Sequence, residues 1–543
     1  MILFSLVVRF PILTKTKKLY DRILLKDFYT NMQLRVLIIL LLFININALA
    51  DPINKEIKIG IIQHFGKSES DKLLIQTSDK EDFLKIKFSK DKYSEDFKNN
   101  KSLKEIKQKS LELSISEEKI FNVFGKTPVI AGSYPTFEQA FYWNEILKQK
   151  FPKVNWQIIY ADPWQIRTEV FNAKGLLKSL NKEAFNASII ERFLSIHKFL
   201  TFNDDSDEIK ARKIFIYSEN NKPIKINNNL YEGTIEIIPD SIGDFSVINQ
   251  LEVENYLLGV LPYEIGPNAP LSAMETQAII ARTYALANLD RFLPDQYNLC
   301  ASQHCQVYKG LVDVNKNIKK AVENTKNIIL KDQTNQIAQV FYYSSDGGYS
   351  ADFSDAWMMN KNSKYQYLKG IPSCKKFPKT LDLSKEEDVK YFLTTQDFKK
   401  WECNDFISIN KRFRWTNIIS SEKLIESMKK MKDKYNFTWK NFSEIKNIYV
   451  LERSHSGRVL KLAIETNTEN ILLNLNEIRP VLNGLASTFF IVEKDSKNNF
   501  IFKGAGFGHG VGLSQYGAIK LAEKNYSYEQ ILKEYFPNYH LAY

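Results

Sequence analysis

Glycine occupies every even position from Gly504 to Gly512 in the segment Gly504-Ala-Gly-Phe-Gly-His-Gly-Val-Gly-Leu-Ser-Gln-Tyr-Gly517, and His509 is the one histidine within it. Alternate residues of an extended segment share a face, so the spacing predicts a strand with one side free of side chains. Two uses of such a face are open. It can admit a flat ligand such as a sugar ring beside His509, or it can belong to a bulged, crowded strand in which glycine only makes room.

The 543 residues are enough for about three domains of ~150 residues. The 44% apolar content permits ordinary packed cores. Met32-Gln-Leu-Arg35, the apolar run Val36 to Ile44 and Ala48-Leu-Ala50 have the basic end, apolar centre and small-residue cleavage site of a secretory signal. The run is shorter than the ~20 residues of a membrane span, which predicts cleavage after Ala50 rather than a permanent anchor. Residues 1–31 read as an upstream start or a long basic leader, so residues 1–50 are set aside as a signal region. The mature chain is expected to be exported, to the periplasm or cell wall.

A net charge of +12 favours polyanionic partners in principle. The lysines are interspersed with acids, as in Asp91-Lys-Tyr-Ser-Glu-Asp-Phe-Lys98, and no basic helix with interleaved aromatics stands out. Nucleic acid is therefore not an expected partner.

Three regions follow the signal. Residues 51–125 read as a β-rich module, starting with Ile57-Lys-Ile-Gly-Ile-Ile-Gln. Residues 126–228 read as an α+β module that resembles the SPOR type of peptidoglycan-binding repeat in a Gly-Ser-Tyr turn and a following helix. Residues 229–543 form the third region, and the whole is expected to be α+β.

Leu261-Pro-Tyr-Glu-Ile-Gly-Pro-Asn-Ala-Pro270 predicts a proline-stiffened loop that holds Glu264 in place. Burial of such a carboxyl disfavours its charged form and suits it to donate a proton near neutrality. An alanine-rich helix is expected over Leu271 to Asp290, opened by a capping box at Ser272-Ala-Met-Glu275. Arg282, among alanines and isoleucines of that helix, is expected to meet a carboxylate or a ligand.

The four cysteines all lie between positions 300 and 403. Cys300, His304 and Cys305 offer two thiolates and an imidazole to a zinc ion, with a Cys300–Cys305 disulfide as the competing reading. Cys374 and Cys403, without a nearby histidine, are read as a disulfide.

Six segments resemble the SpoIID/LytB family in the same order: Asn249 to Leu261, the Pro-Tyr-Glu264 turn, Gln277-Ala-Ile-Ile-Ala-Arg-Thr-Tyr284, His304-Cys-Gln-Val-Tyr308, Tyr343-Ser-Ser-Asp-Gly-Gly-Tyr349 and Gly506 to Gly517. The resemblance covers residues 229–543. It implies an α+β domain acting on bacterial peptidoglycan, either as a lytic transglycosylase on glycan strands lacking stem peptides or as an amidase enhancer whose partner is an N-acetylmuramoyl-L-alanine amidase. The family's catalytic glutamate falls on Glu264, although the usual Met-Pro after it is replaced by Ile265-Gly266. Some members carry zinc in the region matching Cys300, His304 and Cys305. On this reading His509, Gln515 and Tyr516 bind or orient sugar, with Ser345 and Arg282 as further contacts. A zinc amidase is the rival, and it is disfavoured because no His-Glu-x-x-His arrangement occurs.

Overall fold

The strand Glu56–Phe65 does not close a module with its sequence neighbours; it pairs antiparallel with Phe245–Glu252, Ile57 opposite Leu251 and Ile59 opposite Asn249. The computed structural model describes residues 56–68, 70–93, 102–120, 126–190, 195–204, 207–311, 314–358, 365–404 and 412–543. The signal-like segment lies outside the described residues. Among the described residues, no helix is long and apolar enough to cross a membrane.

Two sheets organise the first half of the molecule. In one, Glu56–Phe65 lies between Leu299–Cys300 and Phe245–Glu252, and the sheet continues through Thr234–Pro239, Ile214–Ser218 and Leu84–Ser89 to Leu103–Gln108. The other runs from Asp207–Ala211 through Ser195–Asp204, Ser110–Ile120, Leu73–Thr77 and Ile224–Ile226 to Asn229–Tyr231. Period-two burial explains the strands: Ile57 and Ile59, Ile214 and Ile216, and Ile235 and Ile237 are all fully buried. The expected boundaries near 125 and 229 therefore do not separate these sheets, because strands from 56–120 and 195–252 are interleaved in both. Long-range pairing of this kind leaves no local trace in the sequence.

The α+β expectation holds, and residues 127–189 form its clearest local unit. There Gln157–Tyr160, Trp164–Val170, Thr127–Tyr134 and Ser188–Ile189 make a sheet in that order, with helices Phe137–Lys150 and Ala173–Lys182. Thr136 caps the first helix by accepting the Gln139 N–H at 3.3 Å.

Helix Val253–Glu264 buries Val253, Tyr256, Leu257, Val260 and Leu261, the one-face spacing of an amphipathic helix. Helix Leu271–Ala287 is buried along nearly its whole length and packs against Val253–Glu264, Lys316–Asn324, Gln515–Glu523 and Tyr528–Tyr535. Its N-cap is Pro270, with no side-chain cap, so the expected capping box does not form. Glu275 instead accepts a hydrogen bond from Asn324 Nδ2 at 2.6 Å.

Toward the C-terminus, Asn499–Ala505 pairs with Arg414–Ser420 and Phe490–Lys494, and Phe490, Phe500 and Phe502 are fully buried in the adjoining core. Cys374 and Cys403 are joined by a disulfide, as expected.

Candidate active site

Glu264 is the last residue of helix Val253–Glu264 rather than part of the loop expected for it. Pro262 sits inside the helix, and the Ile265 N–H closes the final turn onto the Leu261 carbonyl at 3.2 Å. The chain leaves through Gly266 at φ +91°, where an added Cβ would meet nothing within 4 Å. The helix continues through Pro262 to Glu264 although proline cannot supply its own amide hydrogen bond, so the proline does not mark the end as expected.

Oε1 of Glu264 accepts the Val307 backbone N–H at 2.7 Å. Burial is the main influence on its pKa and raises it, opposed by the Val307 amide and by the nearby Tyr342 hydroxyl and Gln515 amide. The carbonyl-rich end of its own helix disfavours the charged form further. The Tyr342 hydroxyl and Gln515 Nε2 favour the carboxylate by proximity, yet neither closes a well-formed hydrogen bond, and both are buried without a partner. Three polar groups thus converge on one point with hydrogen-bonding capacity to spare.

That point lies on a cleft of about 540 Å³. Glu264 lines it together with Glu138, Tyr342, Arg412, Arg479, His509 and Gln515. The walls thus come from the 127–189 unit, from the helix bearing Glu264 and from the C-terminal half. Glu138 is neutralised by Arg291, whose Nη2 donates to its Oε1 at 2.8 Å and whose guanidinium lies 4.5 Å from the Phe137 ring centre.

The glycine run is not a bare strand. The strand ends at Ala505, and Gly506, Gly508, Gly510 and Gly512 all have φ between +75° and +109°. Their missing side chains face protein. A Cβ on Gly512 would lie 2.2 Å from the Phe341 carbonyl oxygen, and one on Gly508 would lie 2.8 Å from the Tyr343 Cβ. The crowding reading holds: Gly506, Gly508 and Gly512 pack the run against residues 341–347, while Phe507, Gly508 and His509 of the same run line the cleft.

His509 lines the cleft, but its Nδ1 accepts the Val511 N–H at 3.0 Å and its ring also bonds the Tyr342 backbone. Trp357, Tyr343 and Phe341 surround the ring at 4.8, 5.6 and 6.0 Å between centres. Burial, helped by the Arg479 and Arg458 charges, lowers its pKa to about 3. It is a neutral wall element beside the Tyr342–Tyr343 strand and offers no proton near neutrality.

The remaining expected contacts divide. Gln515 reaches Glu264. Tyr516 sits beside the cleft, its amide donating to the Ser344 carbonyl at 3.1 Å and its ring centre 5.9 Å from the Arg412 guanidinium. Ser345 is buried outside the lining, its backbone paired in both directions with Phe507 at 3.2 and 2.7 Å. Arg282 is fully buried away from the cleft: Nε and Nη2 donate to Glu254 at 2.8 and 2.6 Å, and Nη1 to the Ile328 carbonyl at 2.9 Å. Its carboxylate expectation holds, and its ligand expectation is corrected.

Cys300 and Cys305 are free thiols with sulfurs 2.9 Å apart, while His304 Nε2 faces the Tyr160 hydroxyl at 3.3 Å. Two thiolates on one tetrahedral zinc, each at ~2.3 Å, would stand about 3.8 Å apart. Among the described residues, these three do not gather their ligand atoms around one point. As placed, the set does not fit a bound zinc. The same loop nevertheless carries Val307 and so supports Glu264.

Sequence reasoning missed Tyr342, Arg412, Arg479 and Glu138. Tyr342 adjoins the Tyr343 to Tyr349 motif and Glu138 lies in the helix expected after the Gly-Ser-Tyr turn; Arg412 and Arg479 come from segments without periodicity or motif, and only folding brings all four to the cleft.

Two family models match the chain: stage II sporulation protein over residues 241–331 and a domain of unknown function (DUF8618) over residues 351–512. Glu264 falls in the first, and Arg412, Arg479 and His509 fall in the second. The chain is 29% identical over 295 residues to the amidase enhancer of Bacillus subtilis (strain 168), an overlap of 52% of this chain and 39% of that protein. It therefore spans well under half the length of that relative. It is 26% identical over 374 residues to an uncharacterized protein of Brachyspira hyodysenteriae, covering 67% of this chain and 87% of that one. Stage II sporulation protein D of Bacillus subtilis (strain 168) is 24% identical over 324 residues, covering 56% and 79%.

Proposed function

The chain belongs to the SpoIID/LytB family, and from that membership and the cleft around Glu264 we propose that it is an exported lytic transglycosylase cleaving peptidoglycan glycan strands that lack stem peptides. The observation that carries this reading is a buried carboxyl of raised pKa at the cleft, with the unpartnered Tyr342 hydroxyl and Gln515 amide beside it.

In the proposed reaction, protonated Glu264 gives its proton to the glycosidic oxygen leaving C1 of muramic acid. The resulting carboxylate takes the proton of the same sugar's C6 hydroxyl, whose oxygen closes onto C1 as the 1,6-anhydro ring. One bond breaks, one forms, Glu264 regains its proton and no water enters. An internal nucleophile has a high effective molarity, so one carboxyl suffices where hydrolysis usually needs two. Val307 and Gln515 steady the anionic form between the two transfers.

A zinc ion on Cys300, His304 and Cys305 would require these residues to rearrange and would stay outside this chemistry. As a proposal for the loop it requires His304 to turn from Tyr160, and metal analysis of the purified protein after equilibrium dialysis reads it.

Mass spectrometry of stripped glycan after incubation tests the main reading: 1,6-anhydro ends should accumulate with the native chain and not with Glu264→Gln. A second reading, favoured by the likeness to a protein named amidase enhancer, is wall binding that assists an N-acetylmuramoyl-L-alanine amidase in the periplasm or cell wall. Unchanged glycan together with faster stem-peptide release by an added amidase would select it.

A further inference from the structure

The acids of the cleft are committed, whereas one of its cations is not. Glu138 is paired with Arg291, and burial favours the neutral form of Glu264. Arg479 lines the same cleft, and its one side-chain hydrogen bond among the described residues runs from Nε to the Leu485 carbonyl at 2.8 Å. Its sequence neighbour Glu477 instead accepts the Asn474 N–H at 2.9 Å. No described carboxylate pairs with Arg479. Burial lowers its pKa to about 10, so it stays charged at neutral pH, and it is the foremost charge acting on His509. A guanidinium half removed from water with its terminal nitrogens uncommitted is costly unless an anion completes it.

We propose that Arg479 is a specificity residue that binds the free lactyl carboxylate of a muramic acid whose stem peptide has been removed. This rests on the reading that glycan occupies the cleft. In a substituted strand that carboxyl is an amide, without charge and without the two equivalent oxygens a guanidinium fork grips. In a stripped strand it is an anion of the right shape. Selection for stripped strands would then lie in the 351–512 region and not in the segment that carries Glu264.

The experiment measures equilibrium binding by the full chain carrying Glu264→Gln, which blocks turnover. Its two probes are stripped glycan strands and the same strands with their carboxyls converted to amides by carbodiimide and ammonia. The expected result is binding of the free-carboxyl strands about tenfold more tightly or better, as for a charge-assisted bidentate pair. Adding Arg479→Gln should bring that ratio below about twofold, with Arg479→Lys in between. Near-ultraviolet circular dichroism checks that each variant is folded. Equal binding of both strands by the Glu264→Gln chain, binding of neither, or a preference that survives Arg479→Gln overturns the proposal. Failure of the transglycosylase reading shows separately, as absence of anhydro ends from the native chain whatever the binding ratio.

Discussion

The backbone N–H of Val307 donates to Oε1 of Glu264 at 2.7 Å, tying the loop after the Cys300–Cys305 pair to the end of a helix 43 residues earlier. A backbone donor cannot rotate away as a side chain can, so one oxygen of a carboxyl that lines the cleft is kept fixed. The geometry suits an acid that must give and then recover a proton at one place.

Replacing Glu264 by Gln keeps an acceptor for Val307 and removes the proton donor. Anhydro-end formation should fall by roughly 10²–10⁴-fold with little change in strand affinity. Chromatographic product rates against direct binding check this; an equal loss of both would point to misfolding.

The raised pKa of Glu264 fixes the sign of two pH effects. The folded state holds this proton more tightly than the unfolded chain, so its contribution to stability is full below about pH 4.5 and is lost as pH rises through the folded value. Glu264→Gln should therefore melt higher than the native chain at pH 7 and equally at pH 4. The rate should decline on the alkaline side as the acid is lost, with a midpoint above the ordinary glutamate value.

His509 acts in the opposite sense. Its folded pKa of about 3 lies below the ~6.5 of an unfolded histidine, so the unfolded chain takes up the proton first. Its contribution is present above pH 6.5 and should be lost down to about pH 3, at up to about 1.4 kcal/mol per pH unit. Urea titrations of the native chain and His509→Gln across that window measure the difference, and the variant should show the shallower slope.

Gly512→Ala and Gly266→Ala separate crowding from backbone strain. Both glycines have positive φ, +89° and +91°, but only Gly512 has a backbone oxygen 2.2 Å from the position of an added Cβ. Gly266→Ala should cost about 1–2 kcal/mol, the ordinary cost of a left-handed alanine. Gly512→Ala should exceed that clearly, or fail to yield soluble protein, because carbonyl backbone cannot step aside.

Arg282→Met should destabilise the fold by about 3–5 kcal/mol, since Glu254 would be left as a largely buried, unpaired carboxylate. Combining it with Glu254→Met should recover most of that loss in denaturant titrations. Recovered activity in the double variant would fit a residue that builds the helix pair and never touches substrate.

Local chemistry made several features readable in one dimension. The long buried helix after Glu264 and the Cys374–Cys403 bridge rest on residue type and local context, and Glu264 as the carboxyl to watch rests on its setting together with the family resemblance. The α+β character and the ordered motifs were legible for the same reason. Tertiary structure decided the rest. It wove strands from 56–120 through those from 195–252, turned alternating glycines into left-handed turns packed on residues 341–347, and buried Arg282 against Glu254. It also brought Arg479 to the same cleft as an acid more than two hundred residues earlier. Hydrophobic periodicity reports which face of an element is buried but not which distant segment buries it, and a charge acquires its role only when folding fixes what stands opposite.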